Sequence, residues 1–268
     1  METTNISAKD VMALRQRTGL GMMDCKKALV EASGDMDAAE ASLKEKLKGK
    51  MDTRTDRATG EGSITIKIQG DKATIIEMRT ETDFTARNDT FTEMAGKIAD
   101  FAIEADAGPV QVDDRMTACI DEVRITTGEN MSMARGEVLS GGSFGQYLHH
   151  DGKLGVIVQF EGDVDQDVIT GICQHIAAHT PTPMAIDESG MPQDLVDARR
   201  NEAVQEAKDT GKPDEIAAKI AEGKMRKFFE DNTLLGQKYV RDDKMSVGEI
   251  LPDGAKILAF KRYQVGHD

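Results

Sequence analysis

The chain has 268 residues and a formal charge of −14, from 34 Lys and Arg against 48 Asp and Glu. This length allows about two domains with a buried core. The acidic balance and an aromatic content of 4% argue against a nucleic-acid partner, because phosphate contacts need clustered basic side chains and base stacking needs aromatic ones.

Charge is distributed unevenly along the chain. Residues 1–57 carry 11 basic and 10 acidic side chains, a net charge of +1, whereas residues 58–268 carry 23 basic and 38 acidic side chains, a net charge of −15. The first fifth of the chain therefore differs electrostatically from the rest, which predicts a separate N-terminal module.

Three short helices are predicted in this N-terminal module. Ser7 is expected to cap the first helix, which ends at the glycine-containing turn 18–21. The second helix is predicted over 25–32 and the third over 36–47, where apolar residues recur at helical spacing. The polar, weakly patterned residues 49–60 are interpreted as a linker.

A β-hairpin and a helix follow the linker. Ile64, Ile66 and Ile68 alternate with polar residues, and after the turn 70–72 the segment 73–78 predicts the returning strand. An amphipathic helix comes next, with its apolar residues at spacings of three and four: Phe91, Met94, Ile98 and Phe101.

The same order of elements recurs further along. Strands are predicted over 144–149 and 154–160 around the turn 151–153, and the helix that follows carries Ile169 and Ile172 on one face. The two turns lie 81 residues apart. This pattern predicts two related α+β subdomains.

A helical hairpin is predicted over 188–231. Its arms are 193–209 and 214–230, joined by a turn at 210–213. Since most of these residues are charged or Ala, the hairpin is expected to project and to offer a surface for a partner or for self-association. An alternating strand at 257–265 is expected to complete the second sheet.

These patterns together predict an α+β fold in three parts. Residues 1–57 form the three-helix module and its linker, and residues 58–140 form a first core subdomain. Residues 141–268 form a second core subdomain, also with an antiparallel sheet, that contains the inserted hairpin 188–231.

Cysteine usage and hydropathy bear on location. Cys25, Cys119 and Cys173 are widely spaced and lack a Cys-x-x-Cys motif, which indicates reduced thiols and a cytoplasmic protein. The first residues lack a basic and an apolar signal region, and no apolar run approaches 18 residues. We therefore expect no secretion signal, no membrane span and no membrane partner.

Nucleotide and calcium motifs are incomplete. None of the five Gly-Lys pairs is followed by the Ser or Thr of a P-loop. Asp163, Asp165 and Asp167 resemble the start of an EF-hand loop, but Val168 replaces the required Gly and Gln174 the bidentate Glu. No bound nucleotide and no calcium are expected.

Histidines are the remaining candidates for chemistry. His175 and His179 are spaced as zinc ligands on a helix, but Ile176 stands where a zinc hydrolase has its Glu. His149 and His150 lie at a strand end. A metal-dependent hydrolase using His149, His175 and His179 is therefore an alternative hypothesis, while the preferred interpretation includes no catalytic residue, no metal and no cofactor.

Two apolar features are unusual for loops. Met22 and Met23 follow a Gly-rich turn, and both cannot face one small core, so one is expected to be exposed as on an adaptable binding surface. Phe84 lies beside Asp83, after Thr82, between a strand and a helix. It is either folded onto the core or an exposed contact residue.

Five segments, in the same order, resemble the elongation factor Ts family over nearly the whole chain. They are 15–29 (RQRTGLGMMDCKKAL), 81–89 (ETDFTARND), 128–130 (GEN), 152–156 (GKLGV) and 222–229 (EGKMRKFF). The resemblance implies a ubiquitin-associated-like N-terminal module, a two-subdomain core and a coiled-coil arm. It also implies a guanine-nucleotide exchange factor with no active site of its own.

The resemblance implies that the partner is elongation factor Tu, in its GDP-bound and nucleotide-free forms. By this resemblance Asp83 and Phe84, flanked by Thr82 and Thr85, enter the G protein near its magnesium site and dislodge the ion.

The resemblance also implies two further contacts. Arg15, Met22 and Met23 dock the N-terminal module on the G domain, and a histidine at the end of the second hairpin strand contributes from the core. His149 matches that position better than the adjacent His150.

Two departures from the family pattern are visible. Thr85 replaces the usual Val, which is expected to remove apolar surface beside Phe84, and the chain stops at Asp268, so that the extra C-terminal module of some relatives is expected to be missing. A ubiquitin-binding adaptor built on residues 1–57 is a second alternative hypothesis.

Overall fold

A computed structural model describes residues 6–211 and 213–267. Helices and small antiparallel sheets are mixed along the chain, which confirms the predicted α+β class. The chain forms two compact units. Unit 1 contains the described residues up to Thr65, Ile76–Glu137 and the residues from Val265. Unit 2 contains Ile66–Ile75 and Val138–Gln264. The domain boundaries expected from the sequence stay a prediction.

The N-terminal part of unit 1 consists of α1 (Ala8–Thr18), α2 (Met22–Glu31) and α3 (Met36–Asp52). A capping box of Ser7 and Asp10 begins α1, as expected. The three helices enclose a small apolar cluster formed by Val11, Leu14, Leu20, Cys25, Ala28, Leu29, Ala39 and Leu43.

The following segment contains β1 (Glu61–Gln69), β2 (Lys72–Thr80), α4 (Asp83–Ala86), α5 (Asp89–Ala102), β3 (Gly108–Pro109), α6 (Asp114–Thr127) and β4 (Met131–Ser140). The strands form a sheet in the order β1-β2-β4-β3. The sequence pattern predicted β1, β2 and α5, but it did not predict α6 or β4.

The interpretation of 49–60 as linker is wrong at its start, because α3 continues to Asp52. Met51 is only 3% exposed, and its backbone oxygen accepts a hydrogen bond from Arg124 of α6 at 3.1 Å. Lys48 forms an ion pair with Asp121 of α6 at 2.8 Å. Packing against α6 therefore extends the helix into a segment whose own pattern is weak.

A buried carboxylate connects the sheet to the last residues of unit 1. Glu77 is 2% exposed and accepts hydrogen bonds from Arg79 at 2.7 Å and from Arg135 at 2.8 Å. The amide of Gly266 donates to the same carboxylate at 3.0 Å. This network compensates a charge that would be costly to bury alone.

Unit 2 includes the tip of the first hairpin, Ile66–Ile75. The next elements that lie entirely within it are β5 (Ser143–Leu148), β6 (Leu154–Glu161) and α7 (Gln166–Ala178). Its last strand, β9 (Lys256–Gln264), pairs antiparallel with β6, giving the order β5-β6-β9. This confirms the prediction that the final strand completes the second sheet. A Cβ atom on Gly145 would lie 1.8 Å from Ile169, so glycine allows α7 to pack closely on β5.

The remaining elements of unit 2 are a 3-10 turn (Glu188–Gly190), α8 (Gln193–Lys208), α9 (Asp214–Asn232), β7 (Lys238–Tyr239), β8 (Asp242–Ser246) and α10 (Val247–Ile250). The predicted hairpin is present as α8 and α9, which pack through small side chains including Ala203, Ala207, Ala217 and Ala221. Lys212, in its predicted turn, lies outside the described residues. Self-association through the hairpin stays a prediction.

Candidate functional site

The segment 82–85 forms a single helical turn at the end of β2. Thr82 is its N-cap, and its hydroxyl accepts a hydrogen bond from the amide of Thr85 at 3.3 Å. Phe84 is 84% exposed, the highest value among the large exposed apolar side chains of the described residues, whereas Thr85 is 8% exposed. The turn therefore presents the ring of Phe84 to solvent and turns Thr85 inward.

The position of Thr85 changes the interpretation of its departure from the family pattern. From the sequence, Thr85 was expected to remove apolar surface beside Phe84. Because Thr85 is buried while Phe84 is exposed, its hydroxyl alters the inside of the turn and not the exposed surface.

The carboxylate of Glu129, between α6 and β4, holds the turn. It accepts hydrogen bonds from the hydroxyl of Thr80 at 3.0 Å, from the amide of Thr82 at 3.1 Å and from the hydroxyl of Thr82 at 2.7 Å. Burial raises the pKa of Glu129, but hydrogen bonds from Thr82, Thr85 and Thr80 outweigh it and hold the pKa below its usual value. The ionised carboxylate is thus the favoured form.

A second set of hydrogen bonds fixes the residues on either side. The amide of Asn130 donates to the carboxylate of Glu81 at 2.6 Å. The Asn130 side chain donates to the backbone oxygens of Thr55 and Arg57 at 3.0 and 2.9 Å. The end of β2, the start of β4 and the segment after α3 are therefore joined by polar contacts directly beneath the turn.

Asp83 is the charged member of the exposed pair. Its carboxylate lies 3.8 Å from the guanidinium of Arg87, four residues later, and its side chain is 45% exposed. An exposed ion pair at this distance is weak. Asp83 therefore remains available to interact with a partner.

The predicted docking residues lie on the N-terminal helices of the same unit. Met22 is 48% exposed and Met23 is 69% exposed, so both are exposed and not only one. They occupy the first turn of α2, whose inward positions are taken by Cys25, Ala28 and Leu29. Arg15, on α1, is exposed as well.

His149 belongs to unit 2, in the turn between β5 and β6. Its Nδ1 lies 2.8 Å from the hydroxyl of Tyr147, and its backbone amide donates to the oxygen of Leu154 at 2.8 Å. The ring centroids of His149 and His150 are 4.3 Å apart. His149 is thus partly buried and oriented by Tyr147, whereas His150 is exposed.

The geometry does not favour the metal-dependent hydrolase. His175 is fully buried, with Nε2 3.0 Å from Gln237 and Nδ1 accepting from the amide of Val240 at 3.3 Å, so both ring nitrogens are engaged. Within 6–211 and 213–267, no three His, Cys, Asp or Glu side chains are arranged to hold a metal ion. In the same ranges no helix is both long and apolar enough to span a bilayer.

Sequence reasoning did not identify Glu129 and Asn130 as site residues. They appeared only within the segment 128–130, which follows a helix that had not been predicted. One signal in the sequence could have indicated this anchor. Glu129 is a carboxylate that directly follows Gly128, and the threonines at 80, 82 and 85 are possible hydrogen-bond donors to it.

Comparison with known proteins gives a consistent result. The family model described as "Elongation factor TS" matches residues 81–267. Elongation factor Ts of Hydrogenobaculum sp. is 36% identical, covering 97% of this chain and 99% of the relative. The corresponding proteins of Thioalkalivibrio sulfidiphilus and Thiobacillus denitrificans are 36% and 39% identical, each covering 97% of this chain and 92% of the relative. The chain belongs to the elongation factor Ts family.

Proposed function

We propose that this translation elongation factor binds elongation factor Tu in its GDP-bound state and promotes release of GDP, so that GTP can replace it. The observation that carries the proposal is Phe84, an aromatic ring 84% exposed on a turn whose other side is held by Glu129. An aromatic ring held this exposed on a fixed turn is available to fill an apolar pocket of a partner, where aromatic residues contribute much of the binding energy. Membership of the family supplies the partner.

The mechanism requires no active site. A G protein holds GDP partly through a magnesium ion that bridges the phosphates. A protein that binds the nucleotide-free form more tightly than the GDP-bound form must weaken GDP binding by the same factor. Exchange therefore follows from a difference in binding energy between two states of the partner.

In this proposal Asp83 and Phe84 supply the difference in binding energy between the two states. Phe84 inserts into an apolar pocket of the partner, and Asp83 disturbs the groups that hold the magnesium ion. Arg15, Met22 and Met23 contribute affinity that is similar in both states and brings the turn to its target. His149 contacts the partner from unit 2.

The test measures release of a fluorescent GDP analogue from elongation factor Tu by stopped flow, over a range of concentrations of the full chain. We expect the chain to accelerate release, and Phe84→Ala to lower the maximal rate by about tenfold or more, as for loss of a buried aromatic contact residue. The half-saturating concentration should change little, because the docking residues are intact.

Val112→Ala is the matched control. Val112 lies in the same unit and is 45% exposed, and no role is assigned to it. It should retain the wild-type rate. A chain that does not accelerate GDP release would contradict the proposed function, and a wild-type maximal rate in Phe84→Ala would contradict the role of the ring.

A further inference from the structure

We propose that Glu129 is a positioning residue for nucleotide exchange, holding the turn 82–85 so that Phe84 is presented in its active orientation. This inference rests on the proposed function and adds to it a residue that does not itself touch the partner.

A turn this short cannot hold itself in place. The helix α4 has four residues, far fewer than an isolated helix needs in water. Its internal support is limited to the Thr82 cap and to hydrogen bonds such as that from the amide of Ala86 to the oxygen of Thr82 at 3.1 Å. Contacts from outside the turn must therefore set its orientation.

Glu129 supplies hydrogen bonds of this kind at the first residue of the turn. Its carboxylate accepts from both the amide and the hydroxyl of Thr82, which is the residue that begins the turn. It also accepts from the hydroxyl of Thr80, which is fully buried in β2. The turn is thereby fixed to the sheet at its first residue, and hydrogen bonds to a charged acceptor are about twice as strong as those between neutral groups.

The position of Glu129 in the fold supports this role. Glu129 follows Gly128, which ends α6 in a left-handed conformation with φ +73°, and β4 starts two residues later. Glu129 thus lies between the end of α6 and the start of β4. Because Phe84 lies only two residues after Thr82, loosening this anchor changes where the ring lies without removing any atom of the exposed surface.

The decisive experiment is a double-mutant cycle with GDP release as readout. Glu129→Gln keeps the shape of the side chain but replaces one acceptor oxygen with a donor group, so the three donors no longer meet a charged acceptor and at least one of them loses its acceptor oxygen. We expect the maximal rate of GDP release to fall about tenfold, the usual scale for losing a charge-assisted hydrogen bond. The half-saturating concentration should stay within about twofold.

In the Phe84→Ala background the same change should lower the maximal rate by less than about twofold, because there is no ring left to position. An equal fall in both backgrounds would show that Glu129 acts other than through Phe84 and would overturn the proposal. A wild-type rate in Glu129→Gln alone would overturn it as well.

Amide hydrogen exchange separates failure of this proposal from failure of the proposed function. In Glu129→Gln the amides of Thr85 and Ala86 should exchange about tenfold faster, with α5 and β2 protected as in the wild type. Faster amide exchange in Glu129→Gln, with a wild-type chain that does not accelerate GDP release, would contradict the proposed function and leave the anchor intact. A wild-type rate of GDP release in Phe84→Ala would contradict the role of the ring, and with it the role of the anchor in nucleotide exchange. Unchanged amide exchange would contradict the anchor itself.

Two further variants complete the design. Thr80→Val removes one donor to Glu129 at nearly constant volume, and it tests the same anchor if Glu129→Gln does not fold. Thr80→Val should also lower the maximal rate of GDP release, and a wild-type rate in this variant would overturn the proposal. Glu93→Gln makes the same charge change at an exposed position of α5 and should behave as wild type.

Discussion

The Nε2 atom of His175 lies 3.0 Å from Oε1 of Gln237 in the interior of unit 2. Since Nδ1 accepts a hydrogen bond from the amide of Val240, the ring is neutral with its proton on Nε2. Burial is the largest cause that lowers the pKa of His175, the contact with Gln237 opposes it and nearby His179 adds to it, so that the pKa is about 4.

This shift predicts a pH-dependent stability. Between pH 6.5 and about 4 the unfolded chain takes up a proton that the folded chain does not, so the free energy of unfolding should fall as pH decreases through this range. For this one group the loss between pH 7.5 and pH 5 should be about 2 kcal/mol.

Urea unfolding of the wild type and of His175→Gln at both pH values measures this contribution. The variant should be less sensitive to pH by the stated amount, while His150→Gln, which changes an exposed ring, should match the wild type. Equal sensitivity in the wild type and His175→Gln would contradict the prediction.

The buried carboxylate of Glu77 predicts a large mutational effect on stability. Glu77→Ala leaves the guanidinium groups of Arg79 and Arg135 without their shared carboxylate and the amide of Gly266 without its acceptor. We expect the free energy of unfolding to fall by about 3–5 kcal/mol, as for breaking a buried ion pair.

Thermal or chemical unfolding checks this value. Glu93→Ala removes an exposed carboxylate and should change the free energy of unfolding by less than about 0.5 kcal/mol. A loss in Glu77→Ala no larger than that of the control would mean that the network contributes no net stability.

The exposed methionines predict a change in affinity without a change in maximal rate. Replacing Met22 and Met23 with Ser removes apolar surface that lies outside the N-terminal core. In the GDP-release assay the half-saturating concentration should rise about tenfold or more and the maximal rate should stay within about twofold.

Met184→Ser is the matched control, because Met184 is 51% exposed but lies in unit 2 and has no assigned contact. A fall in the maximal rate of the Met22 and Met23 variant, at an unchanged half-saturating concentration, would contradict a docking role.

We expect replacement of His149 and replacement of His150 to have unequal effects on GDP release. His149 is oriented by Tyr147 and can present its other ring nitrogen to a partner, whereas His150 is exposed without such support. His149→Ala should lower the rate of GDP release, at a subsaturating concentration of the chain, by about threefold to tenfold, as expected for loss of one interface hydrogen bond. His150→Ala should not lower this rate. The same assay measures both, and a larger effect in His150→Ala would reverse the assignment.

Local patterns predicted much of the fold. Hairpins and amphipathic helices repeat their signal every two or about 3.6 residues, so β1, β2 and α5 were accessible from the sequence. The helix α6 was not, because its inward face carries Asp121 and Arg124. These buried residues form an ion pair at 3.0 Å and interrupt the apolar period.

The candidate site was predictable only in part. Phe84 was identifiable because a large ring in a connection between a strand and a helix is unusual. Its support was not identifiable, since Glu129 lies 47 residues from Thr82 and their contact depends on how the chain folds. The burial of Thr85 likewise depends on the direction of one helical turn and not on any repeating pattern.

The interleaving of the two units bears on how the chain folds as it is synthesised. Unit 1 draws on the described residues up to Thr65, on Ile76–Glu137 and on the residues from Val265, so its last part is translated after the whole of unit 2. The hydrogen bond from Gly266 to Glu77 can form only after the whole of unit 2 has been translated. Until then Glu77 lacks one of its donors, so native unit 1 can be completed only after unit 2 has been translated.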